Sequence, residues 1–147
     1  MKLQMLLCDA AQAVNGKLYI LGAGWNIIGP DPTPSAIAFQ IEVPWDQANR
    51  KHRLKVALLS DDGQPVLLPT PAGGSNPAEV TAGFEVGRPP GHRPGSPLSV
   101  VLAINVGPIP LRPDSRYEWR CHINDETRSD WICSFSTRPA KQDRSTG

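Results

Sequence analysis

The residues best suited to recognition chemistry lie in a proline- and glycine-rich segment, residues 87–95, which contains Arg88, His92 and Arg93 but no acidic residue. An arginine on a stiff backbone is suited to bind carboxylate or phosphate groups, and proline-rich segments can dock into aromatic grooves. Trp45 follows a proline at a predicted strand end, where an exposed indole can anchor a protein partner. The sequence therefore predicts a partner-binding surface made of Arg88, His92, Arg93 and Trp45. The alternative is that the segment is a stiff, solvated connection and that Trp45 lies at the edge of the core.

Motifs for catalysis or cofactor binding are incomplete in this sequence. Residues 17–24 imitate the strand and turn of a dinucleotide-binding site, but Ile27 stands where the third glycine is needed and no helical pattern follows. Cys121 and His122 are adjacent, yet successive residues of a strand point to opposite faces, which disfavours a nucleophilic dyad. The three histidines lack a zinc-type spacing. We therefore predict no catalytic residue, no metal site and no cofactor.

Two acidic segments offer the oxygen ligands that calcium prefers. The first contains Asp61 and Asp62, and the second contains Asn124, Asp125, Glu126 and Asp130. Aspartate and asparagine are also common turn formers, and this plainer interpretation is the one that we adopt.

The three cysteines are too few, and odd in number, for a disulfide framework. Cys121 and Cys133 flank a turn-like segment, and a hairpin centred near Thr127 would place them opposite each other. They are then either two small buried thiols or a cross-strand disulfide, and the disulfide would imply an oxidising compartment. No apolar run reaches the length of a secretory signal core or of a membrane span, so we expect a cytoplasmic protein.

The elements that position these residues are predicted by a two-residue alternation of large apolar side chains. Such alternation places one face of a strand against a core and the other face in water. It occurs in six segments, residues 37–43, 54–58, 80–86, 98–106, 117–123 and 131–135. Two further strands are predicted at residues 3–7 and 17–23, the second preceded by the tight-turn pair Asn15-Gly16. Helical candidates are limited to single turns at residues 10–14 and 46–50, and the first of these segments is predicted as either a helical turn or a bulge.

The spacing of turns between these strands predicts the fold class. Seven to nine strands in 147 residues indicate an all-β domain, a single antiparallel β-sandwich with at most one or two short helical turns. No linker divides the chain into two cores, so we expect the sandwich to span residues 1–137. Residues 138–147 contain no apolar side chain larger than alanine and are predicted to form a disordered tail.

One local spacing resembles a known feature of sandwich domains. Leu111, Pro113 and Tyr117 form the pattern L-x-P-x-x-x-Y just before a predicted strand. This pattern is similar to the tyrosine corner of immunoglobulin-like and fibronectin type III domains. The resemblance implies an immunoglobulin-like sandwich in which the tyrosine hydroxyl bonds to the upstream backbone and the leucine enters the core. The cysteine pair and tryptophan of antibody domains are not found in this sequence.

The chain as a whole resembles a family of small bacterial, mostly actinobacterial, proteins that are classed as a domain of unknown function. The likeness rests on residues 9–11, 15–22, 43–45, 61–63, 86–91 and 117–119. It implies a compact intracellular domain and supplies no activity.

Composition and charge reduce the number of possible function classes. The chain has 15 basic and 14 acidic residues and a net charge of +1, which excludes a strongly basic nucleic-acid binder. The long loops and the incomplete catalytic motifs favour a non-catalytic module for protein interaction or self-association. Two alternatives stay open. One is a small-molecule-binding protein or minor enzyme with a site at one end of the sandwich, and the other is a structural subunit of a larger assembly.

Overall fold

The computed structural model describes residues 1–141 of the 147-residue chain. Within that range the protein is all-β, with twelve strands and one 3₁₀ turn at Trp45–Gln47. The strands are β1 (Lys2–Cys8), β2 (Ala10–Val14), β3 (Lys17–Leu21), β4 (Ile27–Ile28), β5 (Ser35–Val43), β6 (His52–Ser60), β7 (Leu67–Pro69), β8 (Ser75–Pro77), β9 (Glu79–Phe84), β10 (Leu98–Val106), β11 (Arg116–Ile123) and β12 (Ile132–Thr137). No helix among these residues has the length and apolar character that crossing a membrane requires.

Most of the predicted tail, residues 142–147, lies outside the described residues. The first residue of that tail, Arg138, is bonded to the last residue of β4 and to the residue that follows it. The backbone N–H of Arg138 donates to the carbonyl of Ile28 (3.0 Å), and its guanidinium donates to the carbonyl of Gly29 (2.7 Å).

The strands form two larger sheets and two small two-stranded sheets. The three-stranded sheet has the order β1-β5-β10, and the five-stranded sheet has the order β4-β12-β11-β6-β9. β2 pairs with β3, and β7 pairs with β8. All pairings are antiparallel except that of β4 with β12, which is parallel, so the expectation of a wholly antiparallel arrangement is wrong at this edge. The two residues of β4 are too few for any alternation to predict them.

All eight predicted strands are present, the six that show alternation and the two near the N-terminus, and β2, β4, β7 and β8 accompany them. Residues 10–14, predicted as a helical turn or a bulge, form the strand β2, so the expectation of a helical turn is wrong. The reason is the tight turn at Asn15 (φ 50°) and Gly16 (φ 73°), which returns the chain as β3 alongside β2. The turn predicted at residues 46–50 is present as the shorter 3₁₀ turn Trp45–Gln47, which begins one residue earlier and ends three residues earlier than expected.

One hydrophobic core is shared by the two larger sheets. Its largest fully buried side chains come from β5 and β6, among them Phe39, Ile41 and Leu54. Trp119 of β11 and Trp131 also belong to it, as their phase predicts. Burial of this contiguous apolar set is the main stabilising contribution to the fold.

A second, smaller apolar cluster lies on the outer face of the three-stranded sheet. Here β2 and β3, which we call the ribbon, pack on a floor of small side chains formed by Cys8, Ala36, Ala38 and Ala103. Alternation predicts that Ala38 faces water, yet it is only 2% exposed because the ribbon covers it. The first half of β5 is therefore buried on both faces, and side chains as small as alanine let the ribbon approach the sheet.

Candidate functional site

Three of the four partner-binding residues predicted from the sequence lie together at the end of β5. Trp45 begins the 3₁₀ turn that follows Val43 and Pro44, and its side chain is half-buried. The guanidinium carbon of Arg88 lies 4.5 Å from the centroid of the Trp45 ring. The imidazole of His92 stacks nearly parallel to the indole, with ring centroids 5.9 Å apart and an interplanar angle of 8°. We call Trp45, Arg88 and His92 the aromatic platform.

Hydrogen bonds to backbone carbonyls hold the platform in place. The Arg88 guanidinium donates from Nε (3.3 Å) and Nη2 (2.7 Å) to the carbonyl of Trp45. Nε2 of His92 lies 3.0 Å from the carbonyl oxygen of Pro97, which can only accept, so Nε2 carries the proton. The loop of residues 87–97 is thus fastened at its beginning to the turn after β5 and near its end to its own backbone.

Arg93, the fourth predicted residue, does not join this cluster. It is exposed on the same loop, and its side chain makes no hydrogen bond or ion pair with any residue from 1 to 141. Its guanidinium is therefore available to an external group. The structure brings three of the four predicted residues together and leaves the fourth beside them.

Two open grooves adjoin the platform. One, of about 450 Å³, is lined by Trp45 together with Lys2, Glu42, Asp46 and Arg128. The other, of about 520 Å³, is lined by Arg88, His92, Val86, Pro89 and Leu98. The contribution of Lys2 and Arg128 to the first groove was not predicted from the sequence, because the two residues lie far apart in the chain and no local pattern connects them.

A small pocket lies at the opposite end of the sheets, beside β4. Its lining is largely apolar and includes Trp25, Trp119 and Phe135. The buried indole Nε1 of Trp25 has no hydrogen-bond partner among residues 1–141. The cavity volume is only about 30 Å³, enough for one or two water molecules and far below the roughly 300–1,000 Å³ of small-molecule sites.

The L-x-P-x-x-x-Y segment is anchored by its tyrosine. The hydroxyl oxygen of Tyr117 accepts a hydrogen bond from the backbone N–H of Arg112 (3.0 Å), and its ring stacks on Phe135 at 5.8 Å. Leu111 packs against the main core, while Pro113 precedes the turn into β11. Thr137 adds a contact that sequence reasoning missed, because its hydroxyl donates to the carbonyl of Arg112 (2.6 Å).

We expect Tyr117→Phe to lower the free energy of unfolding by about 1 kcal/mol, because it leaves the N–H of Arg112 without its acceptor. Urea unfolding measures the change. Tyr19→Phe is the matched control, since the Tyr19 side chain is exposed and its hydroxyl has no partner among the described residues. Equal stability of the two variants would show that the Tyr117 bond contributes nothing.

Comparison with known proteins places the chain in a family. A model of the family of unknown function DUF6941 matches residues 3–131. The chain belongs to this family. The match includes the ribbon, the aromatic platform and the named residues of both grooves except Lys2, so these features lie within the DUF6941 domain. No curated protein and no solved structure matches the chain.

The cysteines of this DUF6941 domain are free thiols. The expectation that Cys121 and Cys133 face each other is wrong: Cys133 lies opposite Trp119, and the N–H of Cys121 donates to the carbonyl of Trp131 (3.0 Å). The register differs because the hairpin closes tightly at Ile123 and Glu126, whose backbones exchange two hydrogen bonds. The centre of the hairpin is thereby moved away from Thr127.

Burial suppresses ionisation of these thiols. It raises the pKa of Cys121 to about 12 and that of Cys133 to about 11, from an ordinary value of 9.0, with each thiol's burial as the main cause. His122, the neighbour of Cys121, lies on the opposite face of β11. Burial, with Lys55 and Arg120 nearby, lowers its pKa.

These raised pKa values predict a loss of stability in alkali. Unfolded thiols ionise from about pH 9 upward while Cys121 and Cys133 stay protonated in the folded state, so the free energy of unfolding is intact below pH 9 and falls between about pH 9 and 12. Urea unfolding in reductant at about pH 8 and about pH 10.5 measures the decrease. A Cys121→Ala/Cys133→Ala double variant should lose less; an equal loss would contradict the assignment.

The acidic turns have structural roles in this DUF6941 domain. Asp62 accepts a hydrogen bond from the hydroxyl of Ser60 (2.8 Å). Asn124 accepts from the backbone N–H of Arg53 (2.9 Å) and donates to Nδ1 of buried His52 (2.9 Å). Nε2 of His52 donates to the carbonyl of Gln47 (2.9 Å), so both ring nitrogens of this histidine are hydrogen-bonded, an arrangement that was not predicted from the sequence. Among residues 1–141 no group of three or more His, Cys, Asp or Glu side chains is arranged to hold a metal ion.

Proposed function

We propose that this DUF6941 domain is a non-catalytic protein-interaction module that binds its partner through the aromatic platform and Arg93. The observation that carries the proposal is the indole of Trp45, against which Arg88 and His92 are held by their own hydrogen bonds to the carbonyls of Trp45 and Pro97. Tryptophan and arginine dominate the binding energy of protein interfaces. Because the platform is assembled before binding, little conformational entropy is lost when a partner docks.

The charge of the loop favours a partner segment with carboxylate groups. Residues 87–97 contain two arginines and no aspartate or glutamate. Arg88 already uses two of its donors on the Trp45 carbonyl, whereas Arg93 is unengaged among the described residues. A guanidinium binds a carboxylate through two parallel hydrogen bonds. An acidic and apolar peptide could therefore place a carboxylate on Arg93 and an apolar side chain in the groove beside Trp45.

The arrangement of the strands supports this interpretation. We infer that the two larger sheets form an immunoglobulin-like sandwich, since both contribute to one core and the Tyr117 hydroxyl bond precedes β11. Sandwich domains commonly bind through loops at their ends, and the platform lies in two such loops. The three free thiols support an intracellular setting, because reducing compartments maintain free cysteines.

The alternative of a small-molecule site in the pocket beside β4 has little support. This pocket holds about 30 Å³, and drug-sized ligands need at least about ten times that volume. The alternative of a subunit in a larger assembly is tested by measuring the mass of the purified protein in solution.

Capture of a partner by matched variants tests the proposal. Proteins from the native host are captured on the wild-type domain, identified, and then assayed in purified form against Arg88→Ala/Arg93→Ala. The control is Arg53→Ala/Arg116→Ala, which removes two exposed arginines outside the platform. We expect the first double variant to lose affinity with little change in stability, and the control to bind as the wild type does. Equal binding by both double variants would refute the assignment.

A further inference from the structure

The two edges of the ribbon differ in how their backbone groups are bonded. On the β2 edge, the side-chain amide of Asn105 accepts from the N–H of Ala11 (3.5 Å) and donates to its carbonyl (3.0 Å). Asn105 therefore caps the outward-facing polar groups in the middle of β2. An edge that is capped in this way cannot add another strand at that position.

The β3 edge has no such cap. Because Ala11 gives its backbone groups to Asn105, it does not exchange hydrogen bonds with Ile20, its partner in β3. The N–H and carbonyl groups of Ile20, and of Leu18 two residues earlier, consequently point away from β2. Within residues 1–141 these four groups have no backbone partner. β3 also lacks the prolines and central charges that usually protect edge strands, since its one charged residue, Lys17, is its first.

Apolar side chains on the outer face of the ribbon lie beside this open edge. Leu21 is 70% exposed, Tyr19 is 57% exposed and Val14 is 41% exposed. The side chains of Leu18 and Ile20 are turned inward, onto the alanine floor. The outward-facing residues therefore contribute nothing to the packing beneath the ribbon, which leaves their exposure without an explanation inside the monomer.

We propose that the β3 edge pairs with β3 of a second copy of this chain, in antiparallel register about a two-fold axis at Tyr19. This register pairs Leu18 of one copy with Ile20 of the other, so that four backbone hydrogen bonds form. The two Tyr19 side chains become a cross-strand aromatic pair. The ribbons of the two copies then form one continuous four-stranded sheet.

The charges at the two ends of the edge are complementary in this register. Lys17 begins β3, whereas the carboxylate of Asp9 lies against Gly22 just beyond the end of β3. Neither side chain has an ion-pair partner among the described residues. A two-fold axis at Tyr19 brings Lys17 of each copy opposite Leu21 of the other, next to the other copy's Asp9. This self-complementarity favours a second copy over an unrelated strand as the occupant.

The association is expected to be modest in strength. Pairing along an edge of five residues buries less surface than the roughly 800 Å² per partner of standard interfaces. We therefore expect a dissociation constant in the micromolar range. The platform is at the far end of β5 from the residues under the ribbon. The two surfaces are therefore separate, and loss of dimerisation would leave the proposed partner binding intact.

Sedimentation equilibrium of the full chain from about 1 to about 300 µM tests the proposal. We expect concentration-dependent dimers for the wild type, and at least about tenfold weaker association for Tyr19→Lys and for Tyr19→Glu, because each places like charges directly opposite each other. A mixture of these two variants should recover association, since the introduced charges are then opposite in sign. Leu67→Lys, which changes an exposed leucine outside the ribbon, is the control and should dimerise normally.

Three results would overturn the proposal. They are a monomer at every concentration, dimers that Tyr19→Lys leaves unchanged, and mixed charge variants that fail to associate. Thermal unfolding of each variant checks that it is folded. A stable complex with a strand of another protein at this edge, in place of the dimer, would likewise reject the second copy as the occupant.

Discussion

Replacing Trp45 by alanine is expected to weaken partner binding by at least about 30-fold, or about 2 kcal/mol, the size of effect seen when a central tryptophan is truncated. The indole carries the stacking surfaces of both Arg88 and His92. Its removal therefore deletes an anchor and releases two further side chains from their positions. Calorimetry or surface plasmon resonance with the purified partner measures the change.

Two companion variants separate binding from folding in this experiment. Trp45→Phe keeps an aromatic ring at the platform and should lose less affinity than Trp45→Ala, whereas a variant with a damaged fold would lose binding and stability together. Tyr19→Ala removes an exposed aromatic ring at the other end of β5 and should leave partner affinity unchanged. If Trp45→Ala binds within about twofold of the wild type, the platform is not the binding surface.

Ala38→Leu is expected to destabilise the domain by about 1–3 kcal/mol, the range typical of overpacked cores. Ala38 is buried under the ribbon, in contact with the cluster that includes Leu18 and Ile20. Additional carbon atoms at this position must lift the ribbon or distort β5. Because natural domains are stable by only about 5–15 kcal/mol, urea unfolding resolves an effect of this size.

The matched control for this prediction is Gln40→Leu, two residues later on the same face of β5. Gln40 is exposed because the ribbon does not extend over it, so a leucine side chain at this position extends into solvent and does not press against the ribbon. We expect this variant to change stability by less than about 0.5 kcal/mol. Equal stabilities for the two variants would mean that the ribbon does not rest on the alanine floor.

Whether a feature could be predicted from the sequence depends on how far apart in the chain the residues that determine it lie. The strand that contains Phe39 and the one that contains Trp119 were predictable, because alternation is written in consecutive residues. The register that separates Cys121 from Cys133 was not, because it depends on how the hairpin closes at Ile123 and Glu126. A shift of two residues keeps every side chain on the same face, so the hydrophobic pattern cannot detect it.

The candidate site likewise has features that the sequence predicts and features that only the tertiary structure reveals. The types of Arg88, His92 and Arg93, and the stiffness of their loop, were evident from composition alone. That Arg88 and His92 engage Trp45 while Arg93 stays outside required the loop and the end of β5 to meet in space.

The sequence alone determined that this protein is built of strands, where most of them lie, and which residues were candidates for recognition. The tertiary structure alone decided the ribbon's position over Ala38, the parallel pairing of β4 with β12, and the open edge of β3. The physical reason is that periodicity reports which face of a strand is buried. Periodicity carries no information about which distant segment packs on the buried face, or about which strand edge remains without a neighbouring strand.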